Sequence, residues 1–405
     1  MPGDLLVRDL AQVASPAGAG APIRGPGLRD VTVIEEAYVL CRDGRIAAVG
    51  RMNELEPSVG DVEELDGRGL CAVPGLVDCH THLCFAGDRV AEFDLRATGA
   101  SYEELHAAGG GILSTVAATR AAGPDGLRAA VDLHRGWMVA KGTTTFEGKS
   151  GYGLDRDTEL EMLAAVRDAG CVPTWLGAHA VPPEFEDADA YLDFALGEVL
   201  PGAARVAEAA DVFLERGAFD VTQARRYLEA CRSAGLALRL HADQFTEAGG
   251  IQLAIELGAR SVDHLEATGA DGVAALAVSD VTAVLLPVAA LVLGRPMPPA
   301  RALVDSGAAV ALATDFNPGS AFCESLPLVC SLACTQLDLT PAETLAACTV
   351  NAAHVLGRAD AVGRVAPGYD ADLVLLDAPD WRHLAYHVGG DVVRIVIRRG
   401  VRVGD

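Results

Sequence analysis

The stretch Val73-Pro74-Gly75-Leu76-Val77-Asp78-Cys79-His80-Thr81-His82 sets two imidazoles, one residue apart, at the end of an apolar run. On an extended strand alternate side chains share a face, so Asp78, His80 and His82 point the same way. Two imidazoles side by side suit one divalent cation. Other apolar runs end in the same manner. The run 171–177 leads to His179, and 236–240 leads to His241 with Asp243 and Gln244 behind it. The run 260–263 leads to His264, and 308–313 leads to Thr314-Asp315. A single histidine at a strand end is ordinarily a hydrogen-bonded structural residue. Its recurrence at strand after strand points to a shared centre. His106, His134, His354, His383 and His387 fall in helix-like or peripheral segments and are expected to be structural or solvated.

Such a centre needs a scaffold that brings strand ends together. The middle of the chain alternates helix-like and strand-like segments: helix near 160–166 then strand 170–177, helix 222–234 then strand 236–241, helix 247–258 then strand 260–264, helix 299–306 then strand 308–314. That order argues for a parallel α/β architecture. Its length fits a (β/α)8 barrel of about 250 residues with insertions, whose active site sits at the C-terminal ends of the strands. Both ends of the chain look different. Residues 4–8, 37–41 and 45–49 read as strands, with Asp43-Gly44 as a hairpin turn. Residues 371–376 and 392–397 do too, with a turn at Arg399-Gly400, and 14–27 reads as a Pro/Gly/Ala-rich loop. The expected fold class is therefore α/β: a TIM-like barrel over 73–357, with a small β-sandwich domain assembled from 1–72 and 358–405.

The chain has 405 residues, half of them apolar and 22% charged, a globular composition. No apolar run reaches the length of about 18 residues that a membrane span requires, and no secretory leader is expected. Ten cysteines occur without a C-x-x-C pair. They read as small buried side chains of a reducing compartment, so a cytoplasmic location is expected. A net charge of −24 argues against nucleic acid, which is bound by neutralising phosphates. Lysine occurs only at Lys141 and Lys149, which reads as a matter of composition.

The strings Pro74-Gly75-Leu76-Val77-Asp78-x-His80-Thr81-His82 and Thr314-Asp315 resemble the metal-dependent amidohydrolase superfamily. A narrower resemblance, to the imidazolonepropionases, runs from about 70 to 357. It rests on Gly87-Asp88-Arg89, Ser101-Tyr102-Glu103-Glu104, the run 107–116, Lys149-Ser150-Gly151-Tyr152-Gly153-Leu154, the run 176–184, His241-Ala242-Asp243-Gln244, Asp263-His264-Leu265 and the run 313–319. Carried over position by position, it implies His80, His82, His241 and Asp315 as ligands of one divalent metal. Arg89, Tyr102, Tyr152, His179, Gln244, Asn317, Gly319 and Ser320 are placed around the substrate. Asp315, His264 and Gln244 form the implied catalytic set. Three imidazoles and a carboxylate suit Zn²⁺ or Fe²⁺ and leave a position for water.

The implied reaction is hydrolysis of the lactam of 4-imidazolone-5-propanoate to N-formimino-glutamate, a step of histidine breakdown. A metal lowers the pKa of its water from ~15.7 to about 7. Asp315 is placed to shuttle the proton and His264 to stabilise the oxyanion. Arg89 would clamp the propionate tail, guanidinium being a two-pronged partner for carboxylate. Its plainer role is an ion pair with Asp88 or Glu92. The partner is thus a small anionic heterocycle, and a homodimer is expected. Three features depart from the family: Gln244 where many members carry Glu, the bulk and smallness of Val288-Ala289-Ala290, and Gly148 in place of Val. They keep open a related ring, the thiohydantoin-propionate of ergothioneine breakdown, from which a desulfhydrase would expel sulfide. A non-catalytic scaffold is a third reading, against which stands the presence of all four ligands.

Overall fold

The computed structural model describes residues 4–56, 59–99 and 111–403. The chain opens with five strands of a first sheet: β1 (Leu5–Pro16), β2 (Val31–Arg42), β3 (Arg45–Arg51), β4 (Glu63–Asp66) and β5 (Cys71–Pro74). Asp43 and Gly44 join β2 to β3 with φ of 49° and 75°, the left-handed pair that a two-residue hairpin requires. β1 is longer than the sequence suggests; it runs to Pro16, where a loop was expected from residue 14.

Eight parallel strands follow: β6 (Leu76–Asp78), β7 (Thr143–Lys149), β8 (Val172–Ala178), β9 (Ala209–Leu214), β10 (Ala237–Ala242), β11 (Ser261–His264), β12 (Thr282–Leu285) and β13 (Ala309–Leu312). They pair in sequence order. Just beyond the last and first strands, Asp315 N–H donates to His80 O at 3.0 Å and His82 N–H to Phe316 O at 2.9 Å. These bonds draw the sheet round into a barrel, with helices between successive strands as right-handed crossovers demand. Three of the strands, β7, β9 and β12, were not read from the sequence.

The chain then returns to the first sheet through β14 (Leu373–Leu376), β15 (Val393–Arg398) and β16 (Val401–Val403). β14 pairs antiparallel with β5, giving the order β16-β15-β14-β5-β1-β2-β3, with β4 on the first half of β1. Val39, Cys41 and Ile46 at one end of that order share a core with Leu373, Leu375 and Ile397 at the other. The sheet therefore folds over itself, as the extra domain expected from both termini.

The run 73–77, read as one strand, is divided between the two sheets. Gly75 lies at the crossing, where its N–H donates to Asp372 O at 2.8 Å. A Cβ at Gly75 would collide with the Thr144 side chain, so glycine is required for the chain to pass so close to β7. Among the described residues no helix is long and apolar enough to cross a membrane.

Candidate active site

His80 and His82 continue the extended line of β6, which puts both imidazoles on the inner side of the barrel mouth. His241 comes from β10, His264 ends β11, and Asp315 follows β13. Backbone in the left-handed region gathers at these ends: Asp243 at φ 53°, His264 at 86°, Leu265 at 74° and Asp315 at 56°. None of them is glycine, so the fold holds these residues in a costly conformation where the side chains meet.

They meet closely. His80 Nε2 and His82 Nε2 each stand 3.4 Å from Asp315 Oδ1, and His241 Nε2 stands 3.3 Å from His82 Nε2. Four atoms about 2.1 Å from one centre in tetrahedral array lie about 3.4 Å apart, close to the spacing of these three contacts. His80 Nε2 is buried without a hydrogen-bond partner among the described residues. An orphaned lone pair in such a cluster fits a cation better than it fits a closed hydrogen-bond network. Ring nitrogens of His80, His241 and His264 also lie within 4.8 Å of one another, so His264 stands at the edge of the same cluster.

The electrostatics keep the donors free. Burial pushes the pKa of His82 down and that of His241 well down, leaving neutral imidazoles. Asp315 is pushed up by burial, but its contacts with His80 and His82 outweigh this and hold it well below the usual carboxylate range. His264 is also opposed by burial. The Glu266 carboxylate, 3.3 Å from Nδ1, outweighs that and raises it.

Beneath the cluster the barrel interior is charged where branched aliphatics usually fill such barrels. His80 Nδ1 meets Asp263 Oδ2 at 2.6 Å, and His241 Nδ1 meets Asp211 Oδ1 at 3.0 Å. Lys149 Nζ donates to Asp211 at 2.6 Å and to Glu147 at 3.1 Å. Arg239 pairs with Glu147, and its Nη2 donates to Asp263 at 3.1 Å. All five charged side chains are at most 1% exposed. None of them has a role expected from the sequence. Lys149, expected to be a matter of composition, is the cation that anchors Asp211. The one available signal was a charge at alternate positions of β7, Glu147 and Lys149, within a strand that was itself missed.

Above the cluster opens a cavity of about 670 Å³. Arg89, Tyr152, His179, Gln244, Asn317, Gly319 and Ser320 all line it, together with His82, His241, His264 and Asp315. His80 lies below, fully buried. Tyr102 falls outside the described residues, as does the 107–110 part of the run 107–116. Tyr152 is 4% exposed, and burial pushes its pKa far up, so the hydroxyl stays a neutral donor. His179 donates Nδ1–H to Gly151 O at 2.9 Å and stacks on His82 at 5.3 Å. Burial pushes it down to about 3, which leaves Nε2 as an acceptor facing the cavity region.

Asn317 spends its amide locally. Its Nδ2 donates to Asp315 O at 2.6 Å, and its Oδ1 accepts from Gly319 N–H and Ser320 N–H, both at 2.8 Å. It shapes the loop that carries Asp315. Arg89 forms the ion pair with Glu92 that was its plainer reading, with Nε to Oε2 at 2.8 Å, but the pair stands in the cavity wall. Of the peripheral histidines, His134 is structural, with Nδ1 on Leu83 O at 2.8 Å and its ring stacked on Phe85.

Two of the departures from family pattern do not reach the cavity. Val288, Ala289 and Ala290 are buried in the helix Pro287–Val292 and do not line it. Gly148 faces outward: a Cβ there would come within 2.6 Å of Val166 Cγ1 on the helix Arg156–Asp168. Its smallness answers Val166, not a ligand.

Comparison with known proteins agrees with this geometry. The amidohydrolase family model matches residues 71–403. A protein named imidazolonepropionase from Rubrobacter xylanophilus is 59% identical over 98% of this chain and 97% of its own length. One of the same name from Chloroflexus aggregans is 48% identical over 98% of each. Among solved structures, an adenosine deaminase from Xanthomonas campestris with bound zinc superposes with a TM-score of 0.74 at 20% identity, covering 99% of this chain and 93% of that one. The guanine deaminase of E. coli gives 0.74 at 14% identity, covering 99% and 98%. These two likenesses concern the fold. On the family match and the nearly full-length identity, this chain belongs to the amidohydrolase family and, within it, to the imidazolonepropionases.

Proposed function

We propose that the protein hydrolyses 4-imidazolone-5-propanoate to N-formimino-glutamate in histidine breakdown, with His80, His82, His241 and Asp315 holding one divalent ion, Zn²⁺ or Fe²⁺. The observation that carries this reading is the cluster in which His80 and His82 each stand 3.4 Å from Asp315 and His241 stands 3.3 Å from His82, under a cavity with an arginine in its wall. Identity of 59% to a protein named imidazolonepropionase supports the choice of ring. So does the finding that Val288, Ala289, Ala290 and Gly148 lie off the cavity, which leaves Gln244 as the one departure that lines it. Cytoplasmic work on this small anionic heterocycle, as a homodimer and without nucleic acid or membrane as partner, completes the proposal.

When bound, the ion supplies a Lewis acid and a water of lowered pKa. Asp315, as the ionised carboxylate, takes the water's proton and passes it to the ring nitrogen as the C–N bond breaks. His264 is oriented by Glu266, 3.3 Å from its Nδ1, and when protonated on both nitrogens donates Nε2–H to the developing oxyanion. Tyr152 donates its neutral hydroxyl, and His179 accepts from a ring N–H through Nε2. Gln244 is an amide, so it orients the ring by hydrogen bonds and takes no proton. Arg89 keeps Nη1 and part of Nη2 for the propionate while Glu92 fixes its other edge.

The test offers the metal-loaded protein imidazolone-propionate and thiohydantoin-propionate side by side, reading formimino-glutamate and sulfide. Formimino-glutamate without sulfide, abolished by chelation and restored by metal, is expected. Sulfide from the second substrate with no turnover of the first overturns the reading in favour of the desulfhydrase. A protein that purifies without metal and turns over neither is a scaffold.

A further inference from the structure

One arginine does not make the propionate end of the cavity positive. Arg89 is paired edge-on with Glu92, so the two together are neutral. The chain as a whole carries −24, and an approaching anion meets an unfavourable long-range field. A neutral pair gives directed hydrogen bonds but no net attraction to offset that field.

Arg96 stands four residues after Glu92 on the helix Val90–Ala97, one turn on along the same face. It lines the same cavity. Its Nε is 3.9 Å from Glu92 Oε1 and is buried with no hydrogen-bond partner among the described residues. Its Nη2 donates to Gly319 O at 2.9 Å. Arg89 presses on the same glycine from its own side, for a Cβ on Gly319 would collide with Arg89 Nη1. The two guanidinium groups therefore bracket one loop residue in one wall, with a single carboxylate between them. Among the described residues lining the cavity, the other carboxylate is Asp315, at the histidine cluster.

We propose that Arg96 is a specificity-determining residue, the source of the unneutralised positive charge that draws the substrate's carboxylate to this wall. Glu92 holds both guanidiniums in place, Arg89 provides directed donors, and Gly319 leaves them room. The inference rests on the hydrolase reading for its substrate but not for its charge: any ligand pairing a small ring with an anionic tail would feel it.

The experiment uses the metal-loaded protein with Arg96→Gln and Arg96→Lys. It reads KM and kcat for imidazolone-propionate, and binding of two non-reacting probes, imidazole-4-propionate and its methyl ester. Arg96→Gln is expected to raise KM on the order of tenfold, the scale of one lost charged hydrogen bond, with kcat nearly unchanged. Arg96→Lys recovers part of the loss. The acid probe weakens in step with KM, while the ester binds parent and variant alike. An unchanged KM in Arg96→Gln overturns the proposal. So does an ester that weakens as much as the acid, which would make Arg96 a prop of the wall. If the parent fails on imidazolone-propionate yet binds the acid probe with this dependence on Arg96, the reaction assignment falls and the anion subsite stands.

Discussion

The three imidazoles of the proposed metal site are not equivalent. His80 and His241 each present Nδ1 to a buried carboxylate, while His82 Nδ1 has no partner among the described residues. A carboxylate behind an imidazole fixes its tautomer and raises its basicity as a ligand. His241→Ala is accordingly expected to remove metal and turnover together, read by metal content and by rate; full turnover in that variant would refute the ligand set. Asp211→Asn keeps the shape and loses the charge behind His241. Metal affinity, measured by chelator competition, should fall about 10–100-fold. Lys149 would lose one of its two anions, so a lower Tm is expected as well, because an undercompensated buried charge is costly. An unchanged affinity would make Asp211 a spacer in the barrel floor. Most of these residues were legible one by one: a histidine after an apolar run is visible in any sequence. Their hierarchy was not, because Asp211 and Asp263 matter through partners 30 and 183 residues away.

At the level of elements, local pattern found the longer apolar strands and lost barrel strands that carry charge or are very short. β7 is Thr143-Thr144-Thr145-Phe146-Glu147-Gly148-Lys149, whose polar residues give no apolar strand pattern and are satisfied only by the opposite charges of the barrel floor. β9 carries Asp211 in its middle for the same reason, and β12 spans only Thr282–Leu285. Gly148 gives a test of element packing. Gly148→Val forces branched carbons into Val166 on the neighbouring helix. Overpacking of this kind costs about 1–3 kcal/mol, so a lower Tm with an unchanged KM is expected. A changed KM with unchanged Tm would return Gly148 to the pocket.

Across the whole molecule, Glu343 fastens the N-terminal connector to the barrel. Its carboxylate accepts from Arg29 at 3.0 Å, from Arg301 Nη1 at 3.0 Å, and from Thr340 N–H at 2.7 Å in a capping box. Burial pushes its pKa up, but the Arg301 bond and the others outweigh this and bring it to about 2. A folded-state value below the unfolded one means stability that is complete above about pH 4.5 and lost as pH falls toward 2. Glu343→Gln should therefore lower Tm most above pH 5, by about 2 kcal/mol of stability, with the difference from the parent closing in acid. A constant difference down to pH 3 would argue against the ionised group.

By itself the sequence determined the strand-ending histidines, the alternation that makes a barrel and the two terminal β regions, because each is written in neighbouring residues at a period of two or 3.6. Only the tertiary structure decided the rest. It split residues 71–78 between two sheets at Gly75, set Lys149 and Arg239 against Glu147, Asp211 and Asp263, and turned Arg89 and Arg96 onto one glycine. Those pairings join residues far apart in the chain, and closure of the barrel alone fixes which of many opposite charges become neighbours.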